Sequence, residues 1–146
     1  MSEPTNPERV TFRWLSHCCK DLEKTSRFYQ EVMGFTLRNA RDSKGDNVAK
    51  LLRMSTPFQV NLVFLQKDGL VLELQGFEYH NTEPGPDFVM TRLGWGLIHL
   101  DCKNLPEILE RVPAYGGEIL EDTNTGGSVL VKDPDGAILE LIGLPG

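Results

Sequence analysis

The chain has 146 residues, with 40% apolar and 25% charged side chains and a formal net charge of −6 at pH 7. This length suits one domain that buries about two-thirds of its unfolded surface, so neither a metal nor a disulfide is needed for folding. The acidic balance argues against nucleic acid and anionic membranes as partners, because both are bound through clustered Lys and Arg.

The N-terminal segment and the cysteines bear on location. Residues 1–10 are polar and contain two prolines, unlike the apolar stretch of a secretory signal, so the cytoplasm is expected. Cys18, Cys19 and Cys102 are odd in number and lack zinc-type spacing, which predicts free thiols. A small molecule or a protein partner is the remaining expectation.

The first half of the chain reads as a strand, a helix and a run of strands. A helix that begins at Asp21 and ends at Gly34 follows the first strand, because apolar residues recur near helical spacing between a capping residue and a C-terminal glycine. Turn residues then separate the later segments. The predicted strands are 12–19, 35–40, 47–54, 58–66 and 70–75.

The second half repeats this order. Residues 78–93 contain Pro84, Gly85 and Pro86 and are predicted to be a connecting loop. After it come a strand, a short helix that Asn104 caps and Gly116 closes, and three further strands. The second set of predicted strands is 95–102, 118–122, 127–132 and 137–142.

One sequence segment echoes another in the two halves. Residues 71–77 read VLELQGF and residues 138–144 read ILELIGL, and each places one acid at the same point of an apolar strand. An internal duplication is the economical explanation. The sequence therefore predicts one domain over residues 1–146, with a βαβββ module at 12–77, the loop at 78–93 and a second βαβββ module at 94–143.

Two segments resemble the signatures of a known family. The segment from Asp21-Leu22 through Phe28-Tyr29 to Gly34-Phe35 is similar to the N-terminal signature of the vicinal oxygen chelate superfamily, which includes glyoxalase I, bleomycin-resistance proteins and extradiol dioxygenases. The segment Asp133-Pro134-Asp135-Gly136 through Leu139-Glu140-Leu141 resembles its C-terminal signature. The resemblance implies an α+β fold of two βαβββ modules whose curved mixed sheets enclose a shared cavity. It also implies a homodimer.

The resemblance further implies where a metal would bind. In glyoxalase-like members one ligand, usually His, lies near the start of each module's first strand, and one, usually Glu, lies on each module's last strand. The last-strand positions match Glu73 and Glu140. The first-strand positions, seven residues before Asp21 and Asn104, are Trp14 and Leu97, which cannot bind a metal. No metal or other cofactor is therefore expected.

Two histidines offer an alternative ligand set. His17 lies three residues after Trp14, so strand alternation predicts that it faces the helices while Trp14, Ser16 and Cys18 face the cavity. His99 lies two residues after Leu97 and is predicted to face the cavity. If a metal is bound, the expected ligands are Glu73, His99 and Glu140, with His17 available only if a bulge turns it inward.

The candidate site combines inward acids with polar and aromatic neighbours. Leucines flank Glu73 and Glu140, so both acids are predicted to point into the cavity, where a carboxylate is costly unless it meets a cation or a hydrogen-bond donor. The proposed catalytic residues are Glu140, Glu73 and His99. The proposed substrate-binding residues are Trp14, Ser16, Cys18, Leu97, Asp101 and Gln75.

Three functions fit this pattern. The first is a lyase or isomerase that moves a proton beside a carbonyl in a small, largely apolar substrate, with Glu140 or Glu73 as base and His99 as proton partner. The second is a divalent-metal-dependent relative of glyoxalase, epimerase or dioxygenase. The third is a metal-free binding protein that sequesters a drug, as bleomycin-resistance proteins do. The fold by itself does not choose among them.

Overall fold

The computed structural model describes residues 8–145. No helix in this range is long and apolar enough to cross a membrane. The elements are β1 (Leu15–Cys18), α1 (Leu22–Glu31), β2 (Thr36–Lys44), α2 (Asp46–Leu51), β3 (Gln59–Lys67), β4 (Leu70–Glu78), β5 (Ile98–Cys102), α3 (Leu105–Ala114), β6 (Glu118–Leu120), a 3-10 turn (Glu121–Thr123), β7 (Ser128–Lys132) and β8 (Ile138–Gly143).

The strands between residues 8 and 145 form two four-stranded mixed sheets with the same topology. The first sheet has the order β1-β4-β3-β2 and the second β5-β8-β7-β6. In each sheet the first strand of the module runs parallel to the last, and the other pairs are antiparallel. The predicted pair of βαβββ modules is thus confirmed, and the two sheets are not closed into one barrel within a single chain.

One predicted strand is wrong. Residues 47–54 were expected to be extended, but Asp46–Leu51 form α2. Ala49 is 2% exposed and packs with Phe58 and Val60 against one face of the first sheet. A short apolar run fits either a strand or a buried helical turn, and here tertiary packing selects the helix.

The main core lies on the opposite face of the first sheet and continues into the second module. Phe28 and Tyr29 of α1 are buried against Leu72 and Leu74 of β4, and the same cluster includes Leu141 of β8. Asp21 fixes the start of α1, because its side chain accepts a hydrogen bond from the amide of Lys24. The modules therefore share one hydrophobic core around α1.

A single buried carboxylate joins the modules. Asp133 follows β7 and is 3% exposed. Its Oδ1 accepts the amides of Asp135 (2.9 Å) and Ala137 (3.0 Å), which closes the turn to β8. Its Oδ2 accepts the Tyr29 hydroxyl at 2.7 Å and the Nε2–H of His17 at 2.6 Å. The turn of the second module is thereby fastened to β1 and α1 of the first.

Asp135 makes a second pair of contacts between the β7–β8 turn and the β1–α1 segment, a contact region that we call the joint between the modules. Its Oδ1 accepts the amide of Lys20 at 2.9 Å, and its Oδ2 accepts the hydroxyl of Thr25, which is fully buried, at 2.5 Å. Gly136 has φ of +90°, a conformation that favours glycine, and so lets the turn present both acids to the first module. The turn signature found in the sequence is therefore a docking element.

The α3–β6 connection packs closely against α1. A Cβ added to Gly117 would lie 2.7 Å from Phe28 Cε2, 2.7 Å from the Lys132 carbonyl oxygen and 2.9 Å from Val112 Cγ1. Such distances are too short for any side chain larger than hydrogen. The close approach of α1 to the second module consequently requires glycine at position 117.

We predict that Asp133→Ala destabilises the protein by about 3–5 kcal/mol, because it leaves buried donors without their acceptor and unties the joint. The matched control is Asp87→Ala in the segment between β4 and β5, where Asp87 is exposed. The control is expected to change the free energy of unfolding by less than about 0.5 kcal/mol. Urea denaturation monitored by circular dichroism measures the free energy of unfolding of both variants. Equal losses in the two would contradict the claim that Asp133 holds the modules together.

We also predict that Gly117→Ala costs about 1–3 kcal/mol of folding free energy through overpacking against Phe28 and Val112. Gly127→Ala serves as its control, because a Cβ at Gly127 meets nothing within 4 Å. Thermal melts of the two variants should separate clearly. A Gly117→Ala variant as stable as Gly127→Ala would show that α1 does not pack against this connection as described.

Candidate functional site

Glu73 of β4 and Glu140 of β8 lie on the sheet faces that point away from the main core. Leu72 and Leu74 of β4, and Leu139 and Leu141 of β8, are buried in the main core. Because neighbouring strand residues point to opposite faces, Glu73 and Glu140 lie on the other faces of their sheets. The alternation predicted from the sequence is confirmed.

Strand register gives each acid an equivalent neighbour. Ser16 of β1 pairs with Glu73 of β4, and His99 of β5 pairs with Glu140 of β8. Ser16 lies five residues before Asp21, and His99 lies five residues before Asn104. Ser16 and His99 are therefore equivalent positions of the two modules, an equivalence that the same count from the helix starts could have predicted.

His99 and Glu140 form a hydrogen-bonded pair on the second sheet. His99 Nδ1 lies 2.5 Å from Glu140 Oε1, and the side chains are 53% and 27% exposed. A carboxylate can only accept a hydrogen bond, so Nδ1 of His99 is the donor. The second ring nitrogen, Nε2, takes no part in this hydrogen bond. Leu130 pairs with Glu140 from the neighbouring strand, and Ile138 and Ile142 share its face. The pair thus lies on an accessible face that combines these aliphatic side chains with Ser128, Lys132 and Asp101.

Glu73 has a different environment on the first sheet. Glu73 is 7% exposed, and the side-chain Nε2 of Gln75 donates a 2.6 Å hydrogen bond to its Oε1. Phe64 pairs with Glu73 from β3 and belongs to the second apolar cluster, which α2 covers. The first sheet's face is therefore largely filled by the protein's own side chains, whereas the second sheet's face is open.

Trp14 and Leu97, the residues that the family resemblance assigns to the first-strand metal positions, lie just before the first strand of each module. Trp14 immediately precedes β1, stacks edge-on against Phe64 at a centroid distance of 4.9 Å and lies beneath the guanidinium of Arg13 at 4.3 Å. Leu97 immediately precedes β5. An indole and an isobutyl group thus lie near these starts, so the glyoxalase-like four-ligand set does not fit this chain.

The other proposed substrate-binding residues differ in exposure. Ser16, Cys18 and Asp101 are exposed, and Gln75 is half-buried and engaged with Glu73. Partial burial and the charge of Asp135 raise the pKa of the Cys18 thiol, so Cys18 is not an activated nucleophile.

His17 does not join the acids. Its ring lies against Tyr29 on the helix side of β1, as strand alternation predicts, and its Nε2 donates to Asp133. Burial opposes the positive charge, but the hydrogen bond and the charges of Asp133 and Asp135 outweigh it and raise the pKa of His17. Burial likewise works against Asp133, yet His17 and Tyr29 lower its pKa.

Potential metal ligands cluster at the joint between modules. Across residues 8–145, the His, Cys, Asp and Glu side chains that approach as a group of three or more are His17, Cys19 and Asp135, whose ligand atoms all lie within 4.8 Å of one another. Burial and the charge of Asp135 raise the pKa of Cys19. Glu73, His99 and Glu140 do not form such a group in one chain.

A cleft of about 740 Å³ lies at the start of α1. Its lining includes Asp21, Lys24, Asn61, Phe77 and Asp135, and it contains none of the predicted catalytic or substrate-binding residues. The His99–Glu140 pair therefore lies outside this cleft, on an open surface of the single chain.

Comparison with known sequences gives the same family that the signatures resemble. A family model described as the Glyoxalase/Bleomycin resistance protein/Dioxygenase superfamily matches residues 11–141. A probable lactoylglutathione lyase of Vibrio parahaemolyticus is 29% identical over 133 residues, which cover 84% of this chain and 82% of that protein. The lactoylglutathione lyase GLX1 of Arabidopsis thaliana is 29% identical over 127 residues, and this chain spans only 40% of its length.

Solved structures support the fold. A glyoxalase family protein from Bacillus cereus superposes with a TM-score of 0.80 at 14% identity, over 99% of this chain and 100% of that one. The fosfomycin resistance protein FosX from Listeria monocytogenes, complexed with Mn(II) and sulfate, has a TM-score of 0.57 at 19% identity, over 92% and 93% of the two chains. At these identities the likeness establishes the fold alone.

Proposed function

The chain belongs to the Glyoxalase/Bleomycin resistance protein/Dioxygenase superfamily, and from this premise we propose that it is a lyase or isomerase acting by acid–base chemistry. Its substrate is a small, largely apolar compound with a proton to be moved beside a carbonyl group. The observation that carries the proposal is the His99–Glu140 pair on the open face of the second sheet. The lyase names of the two sequence relatives are consistent with this reaction class.

The geometry assigns a role to each member of the pair. Glu140 Oε1 accepts the Nδ1 proton of His99, which leaves Nε2 as the nitrogen that takes the substrate proton. The Glu140 carboxylate orients the ring and stabilises the imidazolium that forms, as a carboxylate does in an acid–histidine pair. The same imidazolium then returns the proton to the adjacent carbon or oxygen. In this proposal His99 transfers the proton and Glu140 positions it.

The surroundings of the pair suit a small, largely apolar substrate that also carries a polar group. Leu130, Ile138 and Ile142 offer aliphatic surface, and Ser128, Lys132 and Asp101 lie on the same face. An apolar contact surface with a few convergent polar groups is typical of a small-molecule site. Glu73 is the second acid of the proposal, and because it is buried and held by Gln75 we assign it to shaping the far end of the cavity.

A metal bound as in glyoxalase-like members is not part of this proposal. Trp14 and Leu97 supply no ligand atom, and the remaining set of Glu73, His99 and Glu140 does not converge within residues 8–145 of one chain. The possible metal ligands on these two sheet faces thus differ from the two histidines and two glutamates that the family resemblance implies. The proposed chemistry rests on the side chains of the pair.

The proposal includes a cytoplasmic homodimer. The face that carries His99 and Glu140 is open in one chain, and proton transfer gains from exclusion of bulk water. The family resemblance implies that paired modules often complete a cavity across a subunit interface. Exposed apolar side chains of the connecting segment, including Leu93 at 98% and Trp95 at 96% exposure, give a second chain surface to bury.

We predict that Glu140→Gln and His99→Gln each lower kcat by about 10²- to 10⁴-fold, because each removes part of the proton-transfer unit. Turnover is measured with carbonyl and thioester compounds that include lactoylglutathione, after thermal-shift screening identifies which of them bind. Glu73→Gln should lower kcat less than either change. Glu110→Gln on α3, where Glu110 is exposed, is the matched control and should leave kcat unchanged.

The same variants separate catalysis from binding. A compound that binds the parent protein and both variants equally, with no turnover by any of them, would instead favour a ligand-sequestering protein. Full activity in Glu140→Gln would overturn the assignment of the pair, and a kcat loss in Glu73→Gln as large as that in Glu140→Gln would make Glu73 a direct participant.

We predict a particle of about twice the 16.4 kDa chain mass in solution. Light scattering after gel filtration at micromolar concentration measures it, and the double change Leu93→Ser and Trp95→Ser should shift the population toward monomer. A single 16.4 kDa species for the parent protein would reject the homodimer.

A further inference from the structure

We propose that His17, Cys19 and Asp135 bind a divalent metal ion of the zinc type at the joint between the two modules. Their ligand atoms all lie within 4.8 Å of one another. His17 and Cys19 come from the first module, and Asp135 comes from the β7–β8 turn of the second. An ion held here ties the modules together, and it lies on the side of β1 opposite the face that carries Ser16.

The spacing needs little adjustment to close around an ion. His17 Nε2 is 3.9 Å from Asp135 Oδ2. Zinc bonds of about 2.0–2.3 Å to nitrogen, oxygen and sulfur place neighbouring ligand atoms of a tetrahedral site about 3.3–3.8 Å apart. The 3.9 Å separation exceeds this range by about 0.1 Å, and no pair exceeds it by more than about 1 Å, which side-chain rotation can supply.

The charge at the joint favours a cation. The side chains of Asp133 and Asp135 are 0% and 11% exposed, and His17 is the imidazole that faces both of them. One buried and one partly buried carboxylate opposite one imidazole leave negative charge in a region of reduced solvation, which a cation would offset. If Nε2 of His17 turns to the ion, Asp133 keeps the Tyr29 hydroxyl and the amides of its own turn.

Asp135 has capacity for the ion. Its two oxygens each accept one hydrogen bond, from the Lys20 amide and the Thr25 hydroxyl. Each carboxylate oxygen has a second lone pair, so a metal bond can be added without breaking either contact. These two hydrogen bonds hold the carboxylate in place, as outer partners do around metal ligands.

The second module provides an internal comparison. Cys102 is equivalent to Cys19, and each thiol donates to the carbonyl of the residue two before it, at 3.6 Å. The residue equivalent to His17 is Leu100, and the residues described here bring no metal-binding group together around Cys102. Both modules therefore have a thiol at this strand end. In the first module an imidazole and a carboxylate lie beside the thiol of Cys19, and the three groups together could bind a metal.

The donor types select the metal. Thiolate and imidazole favour zinc over magnesium or calcium, which prefer all-oxygen shells. Three protein ligands leave the fourth position of a tetrahedral ion to water. Cys19 is 1% exposed, and the side chains of His17 and Asp135 are 15% and 11% exposed, so the ion has limited access to substrate. We expect the ion to raise the stability of the module joint without entering the reaction.

The test is Zn²⁺ and Co²⁺ titration of the full chain after EDTA treatment. Calorimetry and elemental analysis should give one Zn²⁺ per chain and a raised Tm, and Co²⁺ should add a thiolate charge-transfer absorption band. Cys19→Ser should weaken Zn²⁺ binding by at least about tenfold and abolish the band. Cys102→Ser is the matched control and should leave binding and the band unchanged, as should Glu140→Gln.

Circular dichroism checks that each variant is folded, and His17→Gln replaces Cys19→Ser if the latter is not. Failure of the folded parent protein to bind Zn²⁺ at micromolar concentration would overturn the proposal. Binding that survives both Cys19→Ser and His17→Gln but is lost in Glu140→Gln would also overturn it, by placing the ion on the face assigned to catalysis. The acid–base proposal is unaffected by a negative result, because its test measures turnover.

Discussion

The architecture depends on the buried carboxylate of Asp133. It satisfies its own turn through two amides and holds the first module through His17 and Tyr29. A carboxylate with 3% exposure is stable only when its lone pairs are used, so the turn and the β1–α1 segment must meet in one orientation. That orientation places α1 against Gly117 and makes the two sheets share one core. Much of the specificity of the module arrangement follows from this one group.

The shared core assigns the opposite sheet faces to other roles. Leucines on one face of β4 and β8 pack around the helices, which leaves Glu73 and Glu140 on the other. The two outer faces have then diverged. On the first sheet α2 and its apolar cluster cover the face and bury Glu73, while on the second sheet Glu140 stays accessible and pairs with His99. A histidine that transfers a proton needs such access, and of the two described sheet faces the second provides it.

Comparison of the duplicated strands locates the divergence. At the position beside the acid, the first module has Ser16 and the second has His99. At the next position the histidine is in the first module instead, with His17 there and Leu100 in the second. Each module thus carries one imidazole, on opposite faces of the equivalent strand. The imidazole of the first faces the joint, and the imidazole of the second faces the open surface where we propose that chemistry occurs.

Apart from residues 47–54, the sequence alone determined the order of elements in each module. It also determined that Glu73 and Glu140 lie on the strand faces opposite the core leucines and that His17 turns toward the helices. These follow from local periodicity, capping residues and strand alternation, which depend on neighbours along the chain. It did not determine that residues 46–51 form a helix, because a short apolar run is compatible with either state until Ala49 meets the first sheet. Nor could it show that Glu73 is buried while Glu140 is accessible, or that Asp133 holds His17 and Tyr29 across more than a hundred residues of chain. Those contacts join segments distant in sequence, so only the tertiary packing of the two modules decides them.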